Sequence, residues 1–282
     1  MEKVSCLMIT ADRYSHFQSS FDCYCAQDYE NKELVIIANG SEEYQDFVEQ
    51  RVAESGRSDI RLVRVSRKLP IGALRNLSLD TASGPIVCQW DDDDISHPSR
   101  IRTQLEVLKH AGGAVSFLLD ELQYFAELNQ ICWSDWVRAP RPAGVPHTLL
   151  GYREALPRYN DQLWQEEDAL FQSNIFKSGV DVVVIRMLGV YYIYTFHGAN
   201  VYPLPHHARL MRAYGLERDS ILERRGILSS VMGDYGFGRP ISVVDHLGGV
   251  VFTWEPSSEP AEYPPLETTY KVFSGSVPAN TW

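Results

Sequence analysis

The 282-residue chain is 44% hydrophobic and 22% charged, with a formal net charge of −11. This is the balance of an ordinary globular protein, sized for one large domain or a domain plus an appendage. The excess of carboxylates argues against nucleic acid or an anionic membrane surface as a partner, but not against a nucleotide whose diphosphate is neutralised locally. No stretch reaches the ~20 uninterrupted apolar residues of a membrane span, since the most apolar region, 180–196, carries Asp181 and Arg186. The opening Met1-Glu2-Lys3 lacks the basic and apolar regions of a signal peptide. The odd set of Cys6, Cys23, Cys25, Cys88 and Cys132 has no metal-site spacing, so reduced core thiols and a cytoplasmic location are expected.

In chain order, residues 4–10 read as a buried strand, 17–23 as a helix, 32–37 as a second strand ending at Ala38-Asn39-Gly40-Ser41, and 60–65 as a third. That βαβαβ alternation indicates an α/β domain with a parallel sheet. From Ile71 onward, Ala73, Leu74, Leu77, Leu79 and Ala82 suit a short helix stopped by Ser83-Gly84-Pro85. The apolar run 85–90 is the next buried strand, and it delivers four consecutive aspartates, Asp91 to Asp94. Strand ends of an open parallel sheet meet the ligand crevice. Adjacent carboxylates repel one another, so a compensating cation is expected, and hard oxygen ligands suit Mg²⁺ or Mn²⁺ arriving with substrate phosphates. A solvated acidic turn is the plain alternative.

Further on, 114–119 is another apolar strand, and 133–147, rich in proline and tryptophan, reads as a long irregular loop suited to an acceptor-side wall. Two buried strands fit 180–196, helices fit 207–232, and a hairpin fits 241–254. The remainder, 256–282, rich in Pro, Ser and Glu, reads as a mobile or wrapping tail.

Taken together, Leu74-Arg75-Asn76, then Ala82-Ser83-Gly84, then Asp91-Asp92-Asp93-Asp94 and Pro98 resemble the ordered run of the family-2 glycosyltransferases of GT-A fold. Gln27-Asp28-Tyr29 with the second strand is similar to another passage of that family, and the match is good over residues 3–105. Trp164-Gln165-Glu166-Glu167-Asp168 resembles its Glu-Asp motif, and His197-Gly198-Ala199-Asn200 a His-Gly-x-Asn turn found in some members. The resemblance implies a Rossmann-like, mostly parallel central sheet flanked by helices over 1–205. Within it, 1–105 would be the nucleotide-sugar half and 106–205 the acceptor half, with a helical and hairpin extension over 206–282.

It further implies transfer of a sugar, with inversion, from a nucleotide-diphosphate donor (a UDP-sugar by default) to a glycan, lipid-linked glycan or other hydroxyl acceptor. Asp168 would be the general base; Asp93, with Asp91 and His197, would hold the metal; Thr10, Asp12, Arg13, Asn39, Arg75, Asp91 and Asp92 would surround the donor. An imidazole ligand favours Mn²⁺ over Mg²⁺. His197 could equally be a histidine that merely ends a strand, and Asp168 a helix-start acid favoured by the dipole. Ala11 and Ala38-Asn39 depart from the family's base pocket and leave the nucleotide open. A nucleotidyltransferase is the competing enzyme class, but Thr10-Ala11-Asp12-Arg13-Tyr14-Ser15 has no glycine for a triphosphate loop. An inactive sugar- or nucleotide-binding module is the non-enzymatic alternative. No Gly-x-Gly-x-x-Gly follows a strand, which disfavours a dehydrogenase.

Overall fold

The computed structural model describes residues 1–141, 143–256 and 267–275. The first half alternates β1 (Val4–Thr10), α1 (Tyr14–Cys25), β2 (Lys32–Ala38), α2 (Glu42–Glu54), β3 (Ile60–Arg64), α3 (Ile71–Thr81) and β4 (Ile86–Gln89). A short β5 (Ile95–Ser96) and α4 (Arg100–His110) follow, then β6 (Val115–Leu118), β7 (Asp120–Phe125), β8 (Gln130–Asp135) and β9 (Leu150–Tyr152). The rest holds α5 (Glu167–Ser178), β10 (Asp181–Arg186), β11 (Tyr192–Phe196), α6 (Leu204–Tyr214), α7 (Arg218–Glu223) and α8 (Arg225–Asp234), then β12 (Ile241–Val244), β13 (Val250–Trp254) and β14 (Thr269–Ser274).

Among the described residues these strands form two sheets, ordered β14-β10-β6-β9-β4-β1-β2-β3 and β13-β12-β8-β7-β11-β5. In the first, β3, β2, β1 and β4 run parallel, while β9 is antiparallel to both β4 and β6. The period-2 pleat divides β1 cleanly. Val4, Cys6 and Met8 pack with Phe17, Phe21 and Tyr24 of α1 and Leu105 and Leu108 of α4. Leu7 faces the other way, toward Leu74 and Leu79 of α3 and Ile175 of α5. Both faces of β2 are likewise buried, which is why Leu34–Ala38 is a continuous rather than alternating apolar run. All five cysteines are free thiols.

Two glycines set the site's approach. A Cβ on Gly84 would lie 2.5 Å from the Lys3 carbonyl oxygen, so only glycine lets the chain pass under β1 into β4. A Cβ on Gly72 would lie 1.9 Å from the Asn160 carbonyl oxygen, where the start of α3 meets the segment leading to α5.

The sequence reading expected strands at 180–196 and 241–254 but missed the assembly of β11, β12 and β13 with β7 and β8 into a second sheet. Residues 133–135, expected in an irregular loop, end β8, and β7–β8 is an antiparallel hairpin. The expected hairpin at 241–254 is present, but β12 also pairs in parallel with β8 and so extends the second sheet. Part of the expected tail is a strand: β14 lies antiparallel to β10 at the edge of the first sheet. Residues 257–266 and 276–282 of that tail lie outside the described residues. The chain crosses from β4 of the first sheet to β5 of the second through Asp91–Asp94, which places the acid run at the junction of the two sheets.

Candidate active site

A cleft of about 1250 Å³ opens at this junction. It runs from the ends of β1 and β2 (Thr10, Asn39), past the acid run, to Glu121 and Gln123 of β7, and it also reaches Asp168 of α5. The four aspartates share a sequence but not a role. Asp91 accepts from Arg75 Nη1 at 2.9 Å and from Gln89 Nε2 at 3.2 Å. Asp92 accepts from Thr10 Oγ1 at 2.7 Å and Arg13 Nη1 at 2.9 Å, and Thr10 also hydrogen-bonds Tyr44. Asp93 accepts from Arg13 Nη1 at 2.7 Å and lies 3.3 Å from His197 Nε2. Asp94 is buried and accepts from the Tyr192 hydroxyl and from Thr195 N at 2.9 Å, tying the run to β11.

The electrostatics follow these partners. Burial, reinforced by neighbouring Asp93, pushes Asp92 up to about 7 in spite of Arg13 and Thr10. Burial works against charge on Asp93 too, but His197 and Arg13 outweigh it and hold that carboxyl below the usual range. Burial lifts Asp94 well above the ordinary carboxylate value.

Arg75 is the bridge to the second acidic motif. Its Nη1 holds Asp91 while its Nε reaches Glu167 Oε1 at 3.2 Å. Burial opposes its charge, yet Asp91 and Glu167 outweigh that and hold the guanidinium firmly protonated. Glu166 adopts a left-handed conformation at φ 61°, after which α5 starts at Glu167. Glu167 is buried on Arg75, whereas Asp168 is only half-buried and lines the cleft. Its Oδ1 accepts from Ala169 N at 2.7 Å.

Some expected donor contacts have other work. Asp12, at φ 53°, accepts from Ser41 N at 2.9 Å and Ser41 Oγ at 2.7 Å, fastening the end of β1 to the N-cap of α2. Asn39 donates to the Val65 and Arg67 carbonyls at 3.0 and 2.7 Å and accepts from Leu69 N at 3.4 Å, so its amide shapes the 65–69 loop. Arg13 clamps two aspartates rather than standing free.

The residues expected to hold a metal are not all brought together. Asp93 and His197 converge, whereas Asp91 is turned to Arg75, and among the described residues no three His, Cys, Asp or Glu side chains come together as a cation cage. A carboxylate and an imidazole fit a hard or borderline ion that arrives with phosphate ligands, and do not fit one caged by protein alone. Asn200 braces the turn that carries the imidazole: its Oδ1 accepts from the His197 backbone N at 2.9 Å and its Nδ2 donates to Thr195 O at 2.9 Å, while Ala199 N donates to His197 Nδ1 at 3.4 Å. His16 packs its ring 4.1 Å from that of His197, and burial lowers its pKa.

Sequence reasoning expected a wall from 133–147 but missed its pairing with β7. His147 Nε2 meets Glu121 Oε2 at 3.0 Å, and the imidazole stacks 5.2 Å from Tyr192. Burial opposes charge on His147, but Glu121, backed by Asp94 and Asp91, lifts its pKa to about 9. One signal was available: Glu121 and Gln123, two apart in a strand, must share a face.

Residues 5–121 match the family model described as glycosyl transferase family 2. Among curated proteins, the chain is 29% identical over 116 residues to the glucosyl-dolichyl phosphate glucuronosyltransferase of Haloferax volcanii, covering 40% of this chain and 36% of that one. It is 31% identical over 97 residues to the amylovoran biosynthesis glycosyltransferase AmsB of Erwinia amylovora, covering 34% and 32%. The chain thus spans about a third of the length of these relatives. Among solved structures, S. aureus TarS (residues 1–349, in complex with UDP-GlcNAc) aligns over 83% of this chain and 72% of its own, with a TM-score of 0.57 at 15% identity. The mannosyltransferase PcManGT of Pyrobaculum calidifontis, in complex with GDP-Man and Mn²⁺, aligns over 75% and 61%, with a TM-score of 0.58 at 12% identity. Among the described residues no helix is long and apolar enough to cross a membrane.

Proposed function

We propose that this chain, whose residues 5–121 match the glycosyl transferase family 2 model and whose fold is similar to that of GT-A glycosyltransferases, transfers a sugar from a nucleotide-diphosphate donor to a hydroxyl of a glycan acceptor, with inversion. The observation that carries this reading is Arg75, which joins Asp91 of the acid run to Glu167 beside Asp168 within one cleft. A donor-binding acid cluster and a carboxylate free to take a proton are thereby coupled through a single buried cation.

Asp168, with Glu167 anchoring the start of its helix, removes the acceptor proton as the hydroxyl attacks. Asp91 and Asp92 accept hydrogen bonds from donor hydroxyls, and Thr10 and Arg13 keep Asp92 oriented toward them. Asp93 and His197 hold the divalent ion, with Mn²⁺ favoured over Mg²⁺ by the imidazole. When bound, that ion supplies positive charge to the departing diphosphate. UDP is the default nucleotide. Structural relatives solved with UDP-GlcNAc and with GDP-Man make GDP the alternative to test beside it.

Calorimetric titration of UDP and GDP, with and without Mn²⁺, tests the reading. The expected result is manganese-dependent binding of one nucleotide that disappears in Asp93→Ala. Equal affinity in that variant removes the metal assignment, and no binding of either nucleotide removes the donor reading.

A further inference from the structure

The far end of the cleft, beyond the acid run from Asp12 and Ser41, is built from side chains that the donor chemistry does not use. On β7, Glu121 and Gln123 share a face, and the register sets Gln123 beside Tyr194 of β11. Glu121 organises this wall. One of its oxygens takes Gln123 Nε2 at 3.1 Å and the other takes His147 Nε2 at 3.0 Å. That leaves the second ring nitrogen of His147 as a donor and the amide oxygen of Gln123 as an acceptor.

Three lining groups are incompletely paired among the described residues. Gln123 Oε1, His207 Nε2 and Trp136 Nε1 are buried without a hydrogen-bond partner. Gln123 and His207 are only 2% and 5% exposed. Buried polar atoms are normally satisfied, and a cluster of exceptions lining one cavity marks groups that await a partner. The chemistry of that partner is constrained. Glu121, Asp91 and Asp94 disfavour an anion, while an apolar ligand would leave the amide and the imidazoles unmet. Donors and acceptors alternate here: His147 carries a proton on both nitrogens at neutral pH, and burial lowers His207 to about 4, which keeps it neutral. Vicinal hydroxyls, each both donor and acceptor, match such an array.

We infer that Glu121, Gln123, His147 and His207 form a subsite for the neutral, hydroxyl-bearing ring of the acceptor saccharide. The assignment rests on the glycosyl-transfer reading for its role, but not for its ligand chemistry. Gln123 and His207 determine specificity, and Glu121 is a positioning residue that acts through His147 and Gln123.

The test is saturation-transfer NMR on the full chain with the methyl glycosides of glucose, mannose, galactose and N-acetylglucosamine as probes. It is run on wild type, Gln123→Met and His147→Gln, with UDP and GDP calorimetry and far-UV circular dichroism in parallel. The expected result is binding of at least one glycoside by wild type. Each variant should weaken it about tenfold, the value of one directed hydrogen bond in a closed site, with nucleotide affinity and fold unchanged. If wild type binds no glycoside, or the variants bind it as wild type does, the subsite is overturned. Nucleotide binding without glycoside binding overturns only this assignment. Glycoside binding without nucleotide binding upholds it and removes the donor reading instead.

Discussion

Replacing Arg75 with methionine keeps most of its volume and removes its charge, and the structure states what is left behind. Arg75 is 7% exposed and holds Asp91 at 2.9 Å and Glu167 at 3.2 Å. Taking one member from a buried pair costs about 3–5 kcal/mol, because the remaining charge has lost its partner. The two carboxylates share that cost unequally. The Asp91 side chain is 19% exposed and keeps Gln89, so it can rehydrate, whereas the Glu167 side chain is 7% exposed. The expectation is therefore about 3 kcal/mol at pH 7, concentrated on Glu167.

Burial already raises the pKa of Glu167 in spite of Arg75, and without the arginine it rises further. A carboxyl whose folded pKa lies above its unfolded value binds more protons when folded, so Arg75→Met should regain stability as pH falls from 7 toward 5. In that background Glu167→Gln should also restore about 1–2 kcal/mol, although alone it destabilises. The assay is urea unfolding followed by tryptophan fluorescence on all four members of the cycle, at pH 7 and pH 5.5. A loss below about 1 kcal/mol for Arg75→Met, or a Glu167→Gln effect that adds to it, would refute the bridge. Turnover should fall about 10²-fold through misplacement of Asp168.

Asp168→Asn should retain nucleotide affinity and thermal midpoint while losing about 10²–10⁴-fold in kcat; joint loss of binding and turnover would make Asp168 structural. Glu33 gives the pH limb. Burial would raise its pKa, but hydrogen bonds from Ser5, Lys3 and Ser83 hold it at about 2 against an ordinary 4.5. A depressed carboxyl stabilises above its unfolded pKa, so this contribution, about 2 kcal/mol after allowing for the exposure of Lys3, should fade as pH drops from 4.5 toward 2. Denaturant midpoints should show that slope in wild type but not in Glu33→Gln, and parallel slopes would contradict it.

β1 and β2 of the first sheet were legible because each is rich in apolar residues and is followed by a turn and a helix with its own apolar stripe. The order Arg75, Gly84, Asp91 likewise survives as geometry, since one helix and one strand connect these residues. In the second sheet β11, β12 and β13 were expected as strands, but β7 and β8, which join them, left no such trace. β7 opens with Asp120-Glu121-Leu122-Gln123, three of them polar residues that are buried because β8 and β11 flank the strand. β8 finds its second neighbour in β12, more than a hundred residues later. The His147–Glu121 pair depends on that same assembly, so neither residue looked unusual in the chain. Asp12 and Asn39 line the cleft as expected, but their structural bonds were not legible. They stand at strand ends where ligand groups belong, but Ser41 and the 65–69 backbone engage them first.

Four adjacent carboxylates suggested that a metal must supply the missing charge, and the fold answers most of that demand itself. Arg75 takes Asp91, Arg13 takes Asp92 and Asp93, and Asp94 is buried against Tyr192 and Thr195. Among the described residues only Asp93 has a second facing group of metal-ligand type, His197, and there Arg13 holds the same oxygen at 2.7 Å. A cation approaching Asp93 must therefore compete with a guanidinium already in contact. The Arg13 side chain is 36% exposed, so that contact is worth about 1 kcal/mol. Arg13→Gln should accordingly tighten Mn²⁺ binding in the absence of nucleotide by about fivefold, as read by the relaxation of water protons. It should at the same time weaken nucleotide binding, because the freed guanidinium is the group best placed to meet the diphosphate once the metal occupies Asp93. Unchanged or weaker Mn²⁺ affinity in Arg13→Gln would mean that Arg13 builds the cation site and does not compete for it.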